Sequence, residues 1–229
     1  MSDGPKENLR RFIFTSKTNS RGEPVEEQLE IVIPELVQAS YSFLTWCCAP
    51  VLAWFLWEKR QELVNKHVLE LGSGTALPGI VAAKCGAKVT LSESITLPKS
   101  LAHIQRSCQL NNLVLNRDIK LIGLTWGLFL HNLQDHGPID LILASDCFYE
   151  PSNFEDILVT VSYILDHNPE SKFLFTYQER SSDLSIEHLL AKWNLKCFVH
   201  NINNLGSSVG LDLHELSGGH SIHLFEITR

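Results

Sequence analysis

The sequence predicts an α/β fold in which a mostly parallel sheet carries helices on both faces. From residue 68 onward, strand-like runs alternate with helical segments, the order typical of parallel sheets. The runs are almost continuously apolar, as expected for strands buried on both faces. The first run ends in a glycine-rich turn, a common start for a strand-to-helix connection that binds a ligand.

Seven runs have strand character, and helical segments separate the first five. These runs are Val68–Leu71, Lys88–Ser92, Ile119–Leu124, Ile139–Ala144, Lys172–Tyr177, Lys196–Asn201 and His220–Ile227. Only the loop Asn203–Gly219 separates the last two runs. We therefore expect them to pair antiparallel at one edge of the sheet, with the last strand reversed.

The N-terminal part has a different pattern. Residues 9–14 and 29–33 are short β-prone runs joined by a polar stretch, which predicts a β-hairpin. We assign residues 1–36 to a tail and this hairpin, and residues 37–229 to the main domain. A helical pattern runs from after Pro34 to about residue 60, and Pro50 is placed where it suits a first helical turn.

Composition narrows the class of protein. The 229 residues are 44% hydrophobic and 20% charged, values typical of a globular chain. The net charge of −7 disfavours a protein held mainly by nucleic-acid phosphates, which would need a basic face. We therefore expect no direct nucleic-acid partner and a monomeric domain.

Cysteines and the N-terminus indicate a reducing compartment. The six cysteines contain no C-x-x-C pair, so we expect buried, reduced thiols and no metal site. The first eight residues are polar and do not resemble a secretory signal. The uncharged run 43–57 is shorter than the roughly twenty residues that a bilayer requires. We expect no membrane association, and a nuclear and cytoplasmic location.

The turn Glu70-Leu-Gly72-Ser-Gly74-Thr75 is the strongest motif. A dinucleotide fingerprint has a third glycine where this chain has Leu77, and no Gly-Lys-Ser/Thr follows as in a P-loop. Two glycines still allow the backbone to approach a ligand closely. An acidic residue ahead of them suits an α-amino group and not a phosphate, so Glu70 favours a sulfonium cofactor.

Two later strand ends support a cofactor site. Glu93 lies about twenty residues beyond the turn, where an acidic side chain binds ribose hydroxyls. The alternative for Glu93 is an exposed residue after a tight turn. Trp126 follows the third strand and either stacks on an adenine ring or packs in the core.

The fourth strand ends in Ser145-Asp146-Cys-Phe-Tyr149-Glu150. Asp146 leaves the sheet beside the turn, where a carboxylate can orient a cationic acceptor nitrogen, and Tyr149 can contact the cation with its ring. Glu150 adds a second carboxylate. The alternative is that Asp146 caps the next helix. Tyr177 and Gln178, at the end of the fifth run, either border the acceptor channel or pack at the sheet end.

Together these motifs resemble the family-16 seven-strand methyltransferases, over roughly residues 29–200. The matching elements are the glycine turn with Leu77-Pro-Gly79, Asn111-Asn112, Gly123-Leu-Thr-Trp126-Gly127, Asp146-x-x-Tyr149, and Thr176-Tyr-Gln178 followed by Arg180-Ser-x-Asp183. The resemblance implies the Rossmann-like methyltransferase sheet and S-adenosylmethionine as cofactor. The implied cofactor-binding residues are Trp46, Glu70, Gly72, Gly74, Glu93, Trp126 and Ser145.

The resemblance also implies the reaction. Members of this family methylate proteins, mostly on lysine, and a close relative acts on histone arginine. We therefore expect a protein methyltransferase, with a histone tail as substrate and Asp146, Tyr149 and Glu150 as catalytic residues. Lysine methylation of a non-histone protein such as a chaperone remains an alternative. A further alternative is a non-catalytic protein that binds the cofactor and a chaperone or transcription-factor partner.

Overall fold

The computed structural model describes residues 6–18, 23–37, 41–128, 130–180 and 185–229. The predicted hairpin turn and Asp183 lie outside these ranges. The strands are β1 (Glu7–Thr18), β2 (Pro24–Leu36), β3 (His67–Glu70), β4 (Lys88–Glu93), β5 (Ile119–Gly123), β6 (Leu141–Ser145), β7 (Lys172–Gln178), β8 (Lys196–His200) and β9 (Ile222–Thr228). The helices are α1 (Cys48–Glu58), α2 (Leu77–Lys84), α3 (Pro98–Leu110), α4 (Phe154–His167), α5 (Glu187–Lys192) and α6 (Leu213–Leu216).

The predicted α/β fold class is confirmed. Seven strands form one sheet in the order β5-β4-β3-β6-β7-β9-β8, and β1 pairs with β2 in a separate antiparallel hairpin. The strands from β3 to β7 are parallel, whereas β9 runs antiparallel to both of its neighbours. The reversed strand is thus the inner member of the antiparallel pair, and β8 forms the edge.

The strand order reverses direction between β3 and β6. The chain goes from β3 outward to β4 and β5, and then returns to place β6 on the other side of β3. In open α/β sheets the crevice at such a point, outside the carboxyl ends of the strands, is where ligands bind. The residues that follow β3 and β6 therefore meet in this crevice.

Apolar side chains fill both faces of the sheet. On one face, the hairpin residues Phe14 and Ile31 pack with α1 and α2 in a buried cluster. On the other face, α4 and α5 cover a second cluster that includes Leu69 and Phe173. Phe14 is fully buried, and its ring lies 5.2 Å from that of Trp54. The hairpin is therefore part of the main core.

The helix expected after Pro34 begins later than predicted. Pro34 still lies within β2, opposite Leu9, and Leu36 pairs with Glu7. A 3-10 turn at Tyr41–Phe43 follows, and α1 begins only at Cys48. The prediction was wrong here because the hairpin pairing continues past the proline.

The side chain of Asn111, the residue after α3, hydrogen-bonds to the outer backbone edge of β2, as a neighbouring strand would. Its Oδ1 accepts a hydrogen bond from the Val32 amide at 2.9 Å, and its Nδ2 donates to the Val32 carbonyl at 2.7 Å. Nδ2 also donates to the Ser107 carbonyl at 2.8 Å. The side chain is 5% exposed, so these bonds face little competition from water.

We expect Asn111→Ala to lower the free energy of unfolding by about 2 kcal/mol, because it leaves backbone groups of Val32 and Ser107 without this partner. Urea unfolding followed by tryptophan fluorescence measures this change. Asn111→Asp keeps the acceptor for the Val32 amide but places a carboxylate oxygen against the Val32 and Ser107 carbonyls, so we expect it to destabilise the fold at least as much as Asn111→Ala. Equal stability of the alanine variant and the wild type would contradict the structural role.

None of the helices in the described ranges is long and apolar enough to cross a membrane.

Candidate cofactor and acceptor site

The bend after β3 requires glycine. Gly72 and Gly74 have φ values of +57° and +53°, in the left-handed region that residues with a side chain rarely adopt. A Cβ atom on Gly72 would lie 2.9 Å from the Trp126 ring and 3.1 Å from the Cys147 Sγ. The site therefore needs a residue without a side chain at position 72, for both conformation and space.

Hydrogen bonds to β4 fix the bend. The Ser73 amide donates to the Ser92 carbonyl at 2.9 Å, and the Ser92 amide donates to the Ser73 Oγ at 3.1 Å. The Ser92 hydroxyl in turn donates to the Glu70 carbonyl at 2.7 Å. Three hydrogen bonds thus tie the bend to the strands on either side of it, as a preorganised binding site requires.

Glu93, the last residue of β4, reaches the bend. Its Oε2 accepts a hydrogen bond from the Gly74 amide at 3.1 Å, and its Oε1 accepts one from the Ser94 amide at 2.9 Å. Burial raises the pKa of this carboxyl, while the two amides oppose the shift. The structure therefore brings together the glycine turn and the acidic residue that the sequence singled out.

Glu70 lies on the inner side of the bend and is completely buried. The Glu70 side chain packs closely against Gly79 in the first turn of α2. A Cβ atom added to Gly79 would lie only 2.5 Å from the Glu70 Oε2. Neither carboxylate oxygen has a hydrogen-bond partner among the described residues. Burial raises the pKa of Glu70 from the ordinary 4.5 to about 8, although the nearby Gly79 amide and Ser73 hydroxyl, which do not reach hydrogen-bond geometry, oppose the shift.

The raised pKa of Glu70 predicts a pH-dependent stability. Because the folded chain holds this proton more tightly than the unfolded chain, the contribution of Glu70 to stability should be greatest below pH 4.5 and should fall until about pH 8. At pH 7 the accumulated loss is about 3 kcal/mol. We expect Glu70→Gln to remove this loss and to unfold at a higher temperature than the wild type at pH 8.

Thermal unfolding of the protein without added cofactor, measured across this pH range, tests the prediction. Glu62→Gln is the control, because the Glu62 side chain is 70% exposed. Wild-type and Glu70→Gln profiles that run parallel from pH 5 to pH 8 would rule out Glu70 as the source.

The segment from Tyr41 to Cys47 lies beside the bend. The Thr45 and Thr75 hydroxyls are 3.1 Å apart, and the Ser42 hydroxyl lies 2.8 Å from that of Ser100 at the start of α3. Trp46 is 40% exposed, and its Nε1 donates to the Tyr41 carbonyl at 3.0 Å. This segment therefore forms one wall of the crevice and presents an indole ring at its mouth.

Trp126 and Ser145 occupy the other strand ends. Trp126 packs against the second core cluster as well as against Gly72. The packing alternative for Trp126 is thus present in the structure, at a position that touches the bend. Ser145 is the last residue of β6, half-buried and paired with Thr176 of β7.

Asp146 follows directly and is held in an unusual conformation. Its φ is +59°, and its amide donates to the Thr176 carbonyl at 2.8 Å. The Arg180 guanidinium contacts both carboxylate oxygens: Nη1 lies 2.8 Å from Oδ1, and Nη2 lies 2.5 Å from Oδ2. The Gln178 amide approaches Oδ1 at 3.5 Å. The carboxylate therefore binds a guanidinium and not a helix terminus, so the capping alternative is wrong.

The other two predicted catalytic residues are more exposed. The Tyr149 side chain is 53% exposed. Burial of its inner part raises the pKa of the phenol, and the charges of Glu93, Glu150 and Asp146 raise it further. Glu150 is exposed, and its Oε1 accepts a hydrogen bond from the Ser152 hydroxyl at 3.3 Å. Tyr149 thus lies near the carboxylates, whereas Glu150 stands at the outer rim.

The pairing of Arg180 with Asp146, and a small polar cluster around Gln178, were not expected from the sequence. The Cys47 thiol donates to the Gln178 Oε1 at 3.5 Å, and the Gln178 Nε2 lies 3.1 Å from the His220 Nδ1. The neighbouring Cys48 thiol lowers the pKa of the Cys47 thiol. The signal for Gln178 and Arg180 was their position at the end of the strand next to β6.

The site fits the S-adenosylmethionine that the resemblance implies. Gly72 has no room for a Cβ, Glu70 has two buried oxygens without partners, and Glu93 is fixed at the next strand end. Glu70 suits the amino group of the cofactor, and Glu93 suits its ribose hydroxyls. Within the described ranges, no three His, Cys, Asp or Glu side chains are grouped so as to bind a metal ion.

Comparisons with known proteins agree with this geometry. Residues 25–191 match the family model described as lysine methyltransferase. The chain is 47% identical over 204 residues to the Xenopus laevis protein named histone-arginine methyltransferase METTL23, covering 89% of this chain and 86% of the relative. It is 34% identical over 122 residues to the Danio rerio protein N-lysine methyltransferase METTL21A, covering 53% of this chain and 54% of that protein.

A solved structure shares the fold at low sequence identity. The Thermus thermophilus 16S rRNA N2 G1207 methyltransferase, solved with AdoMet and guanosine, superposes with a TM-score of 0.56 at 15% identity. The match covers 96% of this chain and 50% of that one. At this identity the likeness concerns the sheet and its helices.

Proposed function

Because this chain belongs to the lysine methyltransferase family and uses S-adenosylmethionine as methyl donor, we propose that it is a protein-arginine N-methyltransferase that acts on histone tails. The observation that carries the proposal is the Asp146 carboxylate, which binds a guanidinium through two parallel contacts. The name of the Xenopus laevis relative supports the same acceptor.

The geometry at Asp146 favours a planar acceptor. A carboxylate and a guanidinium match in a fork-to-fork arrangement, whereas an ammonium group acts as a point charge. Asp146 is 7% exposed and fixed by the Thr176 carbonyl, so its oxygens keep their direction. We therefore assign Asp146 the role of orienting the acceptor nitrogen.

The remaining residues supply charge and exclude water. S-adenosylmethionine supplies an electrophilic methyl group with its own leaving group. Deprotonation at neutral pH costs roughly 4–5 kcal/mol for a lysine amine and about 7–9 kcal/mol for a guanidinium. Asp146 does not lower this cost, because a carboxylate stabilises the protonated acceptor. It contributes by orienting the acceptor nitrogen and by stabilising the positive charge that the nitrogen gains as the methyl group transfers. The exposed Tyr149 covers the acceptor beside it.

Lysine methylation is the second candidate. It is favoured by the description of the matching family model and by the Danio rerio relative, which is named a protein N-lysine methyltransferase. A non-histone substrate such as a chaperone belongs with this alternative. A third candidate, a cofactor-binding protein without turnover, is disfavoured by the presence of Asp146 at the end of β6.

One labelling experiment separates these candidates. Purified wild-type chain is incubated with isotopically labelled S-adenosylmethionine, core histones and matched tail peptides in which every arginine or every lysine is replaced. Mass spectrometry of the peptides identifies the modified side chain. We expect methylarginine; methyllysine alone would replace the proposal by the second candidate, and binding of the cofactor without any label in histones or cell lysate would favour the third.

Cellular properties complete the proposal. A histone substrate requires a nuclear location, and the cytoplasm is where the chain would meet newly made histones and chaperone partners. We propose both compartments and a monomer. Imaging of a tagged full-length chain and light scattering of the purified protein check these two points.

A further inference from the structure

Arg180 holds Asp146 from the solvent side. It lies two residues beyond β7, and its side chain is 29% exposed, against 6% for that of Asp146. Besides the two contacts with the carboxylate, its Nη1 donates to the Gln178 carbonyl at 3.2 Å. Asp146 itself is anchored through its amide to Thr176 of β7. The carboxylate is therefore fixed, and its partner approaches from the open side.

The bidentate pair uses both oxygens of the acceptor-orienting carboxylate. A second guanidinium cannot bind Asp146 in the same way while Arg180 remains there. A cationic acceptor is also repelled by the charge of Arg180 at this short distance. Acceptor binding as proposed above thus requires that Arg180 moves away from Asp146.

We propose that Arg180 is a specificity-determining residue that occupies the place of the acceptor guanidinium on Asp146, and that an acceptor arginine enters by displacing it. The inference rests on the proposed arginine-methylating function and deepens it. Displacement by arginine restores both lost contacts on the buried carboxylate. A lysine ammonium is a point charge and cannot make the same two parallel hydrogen bonds, so it replaces Arg180 less well. The internal arginine therefore makes the site selective for arginine over lysine.

The first test is binding without cofactor. Arg180→Ala leaves the Asp146 carboxylate without its partner. We expect the Tm of this variant to be lower than that of the wild type by about 5 °C or more. Millimolar methylguanidinium chloride should restore much of this loss by filling the vacated place, and methylammonium chloride should restore far less. Arg229→Ala is the matched control, because Arg229 forms an ion pair with Asp166 at a similar exposure of 28%. Equal responses of the two variants to methylguanidinium would overturn the inference.

The second test separates displacement from simple support of Asp146. If Arg180 competes with the acceptor, Arg180→Ala lowers the KM for an arginine peptide at least about fivefold. The reason is that Asp146 is then free to bind the acceptor in every molecule, whereas Arg180 occupies it in most molecules of the wild type. Methylguanidinium should then inhibit this variant competitively with the peptide. A raised KM together with restoration of activity by methylguanidinium would show that Arg180 only supports Asp146, and would overturn the inference.

The two tests also distinguish this inference from the proposed function. If the wild type labels lysine alone, the proposed function fails, and the thermal measurement still decides whether Asp146 accepts an exchangeable guanidinium. If the wild type labels arginine and Arg180→Ala keeps the wild-type KM, the proposed function stands and the inference fails.

Discussion

Gly72→Ala is expected to lower the affinity for S-adenosylmethionine at least about 100-fold. The added methyl group lies 2.9 Å from the Trp126 ring and 3.1 Å from the Cys147 Sγ, so the bend or the indole must shift. Alanine at φ +57° adds backbone strain of about 1 kcal/mol. Both effects act at the bend that we propose contacts the cofactor.

Isothermal titration with S-adenosylhomocysteine measures the loss of affinity, and circular dichroism confirms that the variant is folded. Gly137→Ala is the matched control, because Gly137 has a φ of +82° and no neighbour within 4 Å of an added Cβ. It carries the conformational cost without the steric one and lies away from the bend. Binding by Gly72→Ala within fivefold of the wild type would contradict the assignment of the bend.

The fold was largely predictable because the core strands carry a simple pattern. The runs that became β3, β4 and β6 are largely buried, and they end at Glu70, Glu93 and Ser145 on the same sheet edge. Parallel strands of this kind have their carboxyl ends at one edge of the sheet, and β4 and β6 both lie next to β3, so Gly72, Glu93 and Asp146 meet there. The shared edge follows from the strand pattern alone.

The partner of Asp146 was not predictable in the same way. Arg180 is 34 residues away along the chain, and the pairing depends on the register of β6 with β7, which places Ser145 opposite Thr176. A one-residue change in that register would turn the side chains to opposite faces. The late start of α1 was missed for a similar reason, since the length of the hairpin depends on pairing between distant residues.

Asp146→Asn is expected to reduce the turnover number for methyl transfer by roughly 100-fold to 1000-fold, the usual cost of removing one preorganised charged group from an active site. Asparagine keeps the size of the side chain and tolerates the φ of +59°, so the loss reports on charge and not on backbone strain. Because we propose that Asp146 contacts the acceptor and not the cofactor, the affinity for S-adenosylhomocysteine should stay within about threefold.

Steady-state labelling of an arginine peptide measures the turnover number, and titration calorimetry measures the affinity for S-adenosylhomocysteine. Asp166→Asn is the control, because Asp166 also pairs with an arginine but lies on α4. A variant that loses cofactor binding and turnover together would place Asp146 in the cofactor pocket. Wild-type turnover in Asp146→Asn would show that the Asp146 carboxylate takes no part in the reaction. Gly72→Ala should fail to bind the methyl donor, whereas Asp146→Asn should bind the donor but fail to transfer the methyl group. This contrast would assign Gly72 to the donor side of the crevice and Asp146 to the acceptor side.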